Sequence, residues 1–198
     1  MFLSFEGIDG SGKSTQARRL AEALRADGRD CVLTREPGGS PGAEEIRRLL
    51  VEGGGERWSP ETELLLFNAA RRDHLERTIR PALARGGWVI SDRFADSSRV
   101  YQGLVRAENR RLVEDLHRLV IGIEPDRTFV IDIDPEVSLA RGRLRGGAED
   151  RFESLGLEFQ RRLRAGFLAL AQEFPDRIRV IDGSGAPEAV AARVMAAL

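Results

Sequence analysis

Phe2-Leu3-Ser4-Phe5-Glu6-Gly7-Ile8-Asp9-Gly10-Ser11-Gly12-Lys13-Ser14-Thr15 decides the fold. Its first four residues read as a short buried strand. A GxxxxGKS phosphate loop follows over Gly7 to Ser14, and Lys13 to Ala26 then carries Ala17, Leu20, Ala21 and Leu24 at helical spacing. Strand, glycine loop, helix is the order that lets backbone N–H groups at Gly7, Ile8, Asp9, Gly10, Ser11 and Gly12 turn inward around phosphate oxygens. The helix N-terminus adds its positive end. Ser14, with Thr15 behind it, offers a hydroxyl for Mg²⁺. A dinucleotide fingerprint is the rival reading of Gly10-Ser11-Gly12, but Thr15 stands where its third glycine belongs.

Lys13 is the one lysine among the 31 cationic residues of the chain. A compact ammonium on a flexible stem fits between nucleotide β and γ oxygens where a planar guanidinium fork requires a different geometry. Lys13 therefore marks the candidate active site.

Composition agrees with a small enzyme. A chain of 198 residues is read as a single domain over 1–198 and buries roughly 70% of its unfolded surface, enough for a core without a metal or disulfide framework. Cys31, in the apolar run Cys31-Val32-Leu33, reads as a core thiol in a reducing cytoplasm. No stretch approaches a membrane span, and the first strand runs straight into the phosphate loop without a leader, so neither membrane nor export is expected. A formal charge of −1 gives no reason to expect a nucleic-acid partner.

Beyond the loop, short apolar runs alternate with helical stretches. Strands are expected over 2–5, 31–34, 88–91, 128–133 and 178–181, and helices over 13–26, 42–52, 60–85, 109–121, 135–142, 154–173 and 187–197. The pattern predicts an α/β fold with five parallel strands flanked by helices. Ligands in such sheets gather at the carboxyl ends of strands. Those ends carry Thr34-Arg35-Glu36-Pro37-Gly38-Gly39, Asp92-Arg93-Phe94-Ala95-Asp96-Ser97-Ser98, Tyr101-Gln102-Gly103 and the Asp132/Asp134 pair, while Phe67 to His74 interrupts an apolar helix. Arg93 can clamp a phosphate while Asp92 fixes the arginine or a metal-bound water. Phe67 and Arg71, four apart on one helix face, offer a ring to stack on a base and a donor for a carbonyl.

Together, Phe5 to Thr15, Thr34 to Gly39, Phe67 to His74, Asp92-Arg93-Phe94 and Tyr101-Gln102-Gly103 resemble bacterial thymidylate kinases over nearly the whole chain and in the family's order. The resemblance implies the P-loop nucleoside monophosphate kinase fold with a small lid, transfer of the γ-phosphoryl of ATP to dTMP to give dTDP, and a homodimer. It assigns Phe67 to thymine stacking, Arg71 to the base O4, Ser98 and Gln102 to polar base contacts, and Tyr101 to the sugar 2′ position. Arg93 and Arg35 are similar to phosphate or acceptor-site residues. Glu36 and Pro37 belong to the acceptor segment, and Arg47 lines the same pocket. Asp9 resembles the loop carboxylate that organises Mg²⁺ or the sugar end of the acceptor, so Asp9, Ser14 and Asp92 form the candidate metal set.

One class of the family places an arginine where Gly10 stands here, so the catalytic charge is expected from a lid over about 141–153. Arg141, Arg143, Arg145 and Arg151 cluster there beside Gly146-Gly147. Arg145 and Arg151 are expected on the phosphates, and Arg141 beside the adenine. Another nucleotide or deoxynucleoside kinase is the nearest competitor, distinguished by the base pocket rather than by the phosphate loop. A guanine-nucleotide switch protein is excluded because its Asn-Lys-x-Asp motif needs a lysine besides Lys13.

Overall fold

The structure is a computed structural model that describes residues 1–52, 57–104, 109–145 and 156–198, with the backbone alone at 142–145. Strands β1 (Phe2–Glu6), β2 (Cys31–Arg35), β3 (Trp88–Asp92), β4 (Arg127–Asp132) and β5 (Ile178–Asp182) form one parallel sheet in the order β2-β3-β1-β4-β5. β1 is central and buried at every position, which is why it reads as a nearly continuous apolar run rather than an alternating one. β1, β2, β3 and β5 each run one residue past the expected end, to Glu6, Arg35, Asp92 and Asp182. Hydropathy stops early there because each of these last residues is charged, although its backbone still pairs, as Arg35 does with Asp92.

Helices α1 (Lys13–Ala26) and α9 (Pro187–Ala196) cover one face of the sheet, enclosing Leu3, Phe5, Leu20, Leu24, Phe129 and Ile181. The other face holds two clusters. One joins Phe2, Val89 and Phe94 to Leu75 and Ile79, in the turn that follows helix α3 (Pro60–His74), and to Ala82 of helix α4 (Arg80–Ala84). The second sets Val100 and Val130 against Leu163, Phe167 and Leu170 of helix α8 (Gly156–Glu173). Each of these large side chains contributes roughly 1.5–3 kcal/mol on burial. Helix α2 (Pro41–Val51) lies on α3.

The helix expected over 60–85 begins at Pro60, with Ser59 Oγ accepting from Thr62 N at 3.2 Å. It widens to a π-helical turn over Leu75–Ile79 before α4. Pro81 has no N–H to give back to the preceding turn, and the wider turn, closed by Arg80 N–H on the Leu75 carbonyl, absorbs it. Helix α6 (Arg110–Leu116) likewise passes into a π-helical turn over His117–Ile121.

One stretch departs from expectation. Residues 95–104, outside every expected strand and helix, form helix α5 (Ala95–Ser98) and a π-helical segment over Arg99–Leu104. The buried side of this stretch mixes Asp96, Ser98, Arg99 and Gln102 with Ala95, Val100 and Tyr101, so no continuous apolar stripe announces it. Gly166 lets α8 approach it, since a Cβ there would lie 2.9 Å from Val100 Cγ1. Helix α7 (Pro135–Arg145) extends past the expected end at 142.

Candidate active site

At the carboxyl end of β1 the chain turns into the phosphate loop. Gly12, with φ +96°, caps α1 without a side-chain hydrogen bond, and the first turn of that helix has no acidic residue. Its N–H groups and positive end thus face the cleft uncompensated, the condition for binding an anion. Gly10 has φ +83°, and a Cβ there would meet the Ser138 carbonyl oxygen at 2.4 Å. The Ser138 hydroxyl donates to the Asp9 carbonyl, so α7 rests directly on the loop.

Lys13 and Arg93 converge on Asp9. Lys13 Nζ is 3.2 Å from Asp9 Oδ1, which also takes a short bond from Arg93 Nη2, and the Tyr101 hydroxyl donates to Oδ2 at 3.3 Å. Burial favours the neutral acid, but the Arg93 and Lys13 charges outweigh it and hold the Asp9 carboxyl well below the usual range. Burial, aided by Arg93, lowers Lys13 from its ordinary value. The two cations converge at the mouth of the phosphate loop, where they suit a phosphate chain, with Asp9 and Asp92 as their counter-charges. Arg93 itself has φ +74°, a left-handed conformation uncommon for a residue with a side chain. Its N–H bonds the Phe5 carbonyl at 2.9 Å, and its guanidinium also reaches Ser97 Oγ at 3.1 Å. Asp9, rather than Asp92, fixes this arginine. Asp92 Oδ1 is instead buried without a hydrogen-bond partner.

That orphan oxygen bears on the candidate metal. Ser14 is exposed at the start of α1, and among the described residues no three His, Cys, Asp or Glu side chains cluster as a metal cage. One hydroxyl, an unpartnered carboxylate oxygen and ligand phosphates are the sparse oxygen set that Mg²⁺ takes, so the residues fit it.

The neighbouring cluster joins α3 to the end of β2 and to the segment over 95–104. Arg71 is buried, with Nε on Glu36 Oε2 at 2.6 Å, Nη1 and Nη2 each 3.1 Å from Ser98 Oγ, and Nη2 3.2 Å from the Phe94 carbonyl. Burial opposes the Glu36 charge, but Arg71 and His74 hold its pKa below the ordinary value. Gln102 Nε2 donates to Glu63 Oε1 at 3.0 Å. Phe67 is half-buried on α3 one turn before Arg71.

A thymidylate kinase family model matches residues 5–194. The thymidylate kinase of Dinoroseobacter shibae is 69% identical over 99% of this chain and 95% of its own length, and that of Ruegeria pomeroyi 66% over 98% and 92%. A crystal structure of thymidylate kinase from Ehrlichia chaffeensis superposes with TM-score 0.81 at 38% identity, covering 100% of this chain and 97% of that one. The chain belongs to the thymidylate kinase family. It is thus a nucleoside monophosphate kinase of nucleotide biosynthesis, from a family that phosphorylates dTMP to dTDP using ATP, on the P-loop kinase fold.

Within this thymidylate kinase framework the remaining expected residues fall as follows. Arg35 is exposed at the end of β2, its guanidinium 3.4 Å from Glu44. Pro37 follows a cis peptide bond, and its carbonyl accepts from Arg47 Nη1 at 2.6 Å. Arg141 is half-buried on α7. The lid arginines Arg143, Arg145 and Arg151 lie outside the described side chains. Asp132 is engaged by Arg164 at 2.6 and 2.8 Å.

Two groups escaped the sequence reading. Glu6 accepts from Phe94 N at 2.7 Å and from Ser97 Oγ at 2.6 Å, so a carboxyl at the end of β1 shapes the loop that carries Arg93. Asp96 accepts from Arg99 Nη1 at 2.9 Å and Arg177 Nη1 at 2.6 Å. A charged residue closing an apolar strand was the available signal for Glu6. Asp96 had none, because its partner Arg177 is 81 residues away. No helix among the described residues is long and apolar enough to cross a membrane.

Proposed function

We propose that this chain transfers the γ-phosphoryl of ATP to dTMP by positioning and charge neutralisation, without a general base, since the acceptor is already a phosphate. Lys13 sits on the β and γ oxygens, and the loop N–H groups from Gly7 to Ser14, with Thr15 behind them, cradle the donor. Arg93 holds the acceptor phosphate, released toward it from Asp9. Asp9 and Tyr101 face the sugar. Mg²⁺, carried by Ser14 and Asp92 with Asp9 nearby, neutralises charge on the phosphates when bound. Arg145 and Arg151 act from the lid, Arg141 beside the adenine, and Arg35, Glu36, Pro37 and Arg47 border the acceptor.

One observation carries the choice of base. A guanidinium has five N–H donors, and the four bonds from Arg71 leave one on Nη1 unused among the described residues. Beside it, Gln102 must turn its amide N–H₂ to Glu63, which leaves Oε1 as acceptor. A donor next to an acceptor matches the O4 and N3–H of thymine, whereas cytosine offers an amino group and a bare nitrogen and mismatches both. Phe67 supplies the stacking face.

A coupled ATP-consumption assay over a panel of nucleoside monophosphates tests this reading. Turnover of dTMP should far exceed that of dCMP, dGMP and AMP, and equal turnover of dCMP or a purine would overturn it. A homodimer is part of the reading, supported by the exposed Leu65, Leu112 and Leu119 on neighbouring helical segments. The cytoplasm is the compartment assigned, supported by the free, buried thiol of Cys31.

A further inference from the structure

Thr34, His74, Glu36 and Arg71 form a chain, half-buried at Thr34 and buried from His74 to Arg71, that phosphoryl transfer itself does not require. His74 has no solvent exposure. Its Nε2 is 2.7 Å from Thr34 Oγ1 and its Nδ1 is 3.0 Å from Glu36 Oε1, while the other Glu36 oxygen takes Arg71 Nε at 2.6 Å. A carboxylate only accepts, so Nδ1 carries a proton, and the hydroxyl serves Nε2 in either of its states. The ring is also enclosed: a Cβ on Gly39, whose φ is +86°, would come 2.5 Å from Nε2 and 2.4 Å from Thr34 Oγ1. The Gly39 carbonyl is in turn held by Thr78 Oγ1 at 2.7 Å.

We propose that His74 is a positioning residue for base recognition, acting through Glu36 on Arg71. A free carboxylate beside a guanidinium prefers two parallel bonds, one to each oxygen. Here the two oxygens are divided, one to Arg71 Nε and one to His74. Both Nη groups are therefore left for Ser98, the Phe94 carbonyl and the pocket. Without the His74 donor, Glu36 Oε1 loses its partner in a buried site and the carboxylate turns to clasp the guanidinium with both oxygens. That rotation draws the unused Nη1 N–H away from the base. The inference rests on the reading that Arg71 meets the base.

Two replacements of His74 separate its two nitrogens. In His74→Asn the amide N–H₂ stands near the former Nδ1 and keeps the donor to Glu36. In His74→Gln it stands near Nε2 and keeps only Thr34. His74→Gln should raise the KM for dTMP about tenfold, the worth of one hydrogen bond to a charged group, with the KM for ATP and kcat within about twofold. His74→Asn should stay within about threefold of the native KM. A purely structural histidine would lower thermal stability in both variants and leave the two KM values unsplit.

Arg71→Ala supplies the control. In its background His74→Gln should add nothing to the KM for dTMP, because its route to the base is gone. A full additional increase there, or an unchanged KM in His74→Gln alone, overturns the inference while leaving the base reading intact. An unchanged KM for dTMP in Arg71→Ala itself overturns the base reading. Should His74→Gln fail to fold, Glu36→Gln, of equal size, takes its place: the same rise in KM is expected, and a native KM would overturn the proposal.

Discussion

Glu6 shows how one carboxyl can both build and burden the site. Burial, with the Asp96 charge nearby, pushes its pKa from an ordinary 4.5 up to about 7, against the pull of Arg93 and of hydrogen bonds from Ser97 and Phe94. The folded chain then holds this proton more tightly than the unfolded chain does. Below the unfolded value both states are protonated and nothing is lost, so stability falls as pH rises from about 4.5 through about 7. Glu6→Gln removes the titration while keeping an acceptor for Phe94 N–H. The stability difference should therefore move in the variant's favour by on the order of 3 kcal/mol across that window. Urea unfolding of both chains at pH 5 and pH 8 checks this, and a difference that ignores pH would show Glu6 to be ionised throughout. Glu6 was legible only as a charge closing an apolar strand. Lys13, by contrast, stood out because its chemistry is needed at one place and nowhere else.

At the level of elements, α5 illustrates a helix made by its partners rather than by its own pattern. Asp96 is buried, yet Arg177 and Arg99 outweigh the burial and hold its carboxyl below the ordinary value. Thr128 Oγ1 on β4 adds a bond at 3.2 Å, so one carboxylate ties the helix carrying Ser97 and Ser98 to the sheet. Removing its charge takes from Arg99 and Arg177 their one fully buried counter-ion and leaves them the more exposed Glu114 and Glu124, a change of up to roughly 3–5 kcal/mol in buried pairs. Asp96→Asn should lose stability on that order in urea unfolding with an unchanged slope, and should raise the KM for dTMP as the Ser98 end of the pocket loosens. A loss below about 1 kcal/mol would mean that solvent screens the network as it does a surface ion pair. The five strands and the long helices needed no such partners: their apolar spacing faces the core directly, and they were readable to within about a residue at the strand ends.

For the molecule as a whole, the unexplained surface is apolar. Leu119 is 69% exposed, Leu65 53% and Leu112 36%, on segments that adjoin through α3 and the turn after α6. Scattered leucines are ordinary, whereas these three sit on adjoining segments, the placement behind the proposed homodimer. Sedimentation velocity should find a dimer, and Leu119→Asp combined with Leu112→Asp should shift it to monomer without unfolding it. A native chain that stays monomeric at tens of micromolar would remove the dimer from the reading.

The phosphate loop, the parallel sheet and the order of the segments that line the cleft were determined by the sequence alone. Each rests on local chemistry: glycine at positive φ, an ammonium among phosphates, apolar spacing with a fixed period. Only the tertiary structure decided which groups hold which. Asp9 rather than Asp92 grips Arg93, Arg71 is shared out among Glu36, Ser98 and Phe94, and residues 95–104 are helical. The physical reason is common to all three. Buried charges are satisfied across long separations in sequence, where neither period nor propensity carries a signal, so the pairing is settled only when the sheet brings its strand ends together.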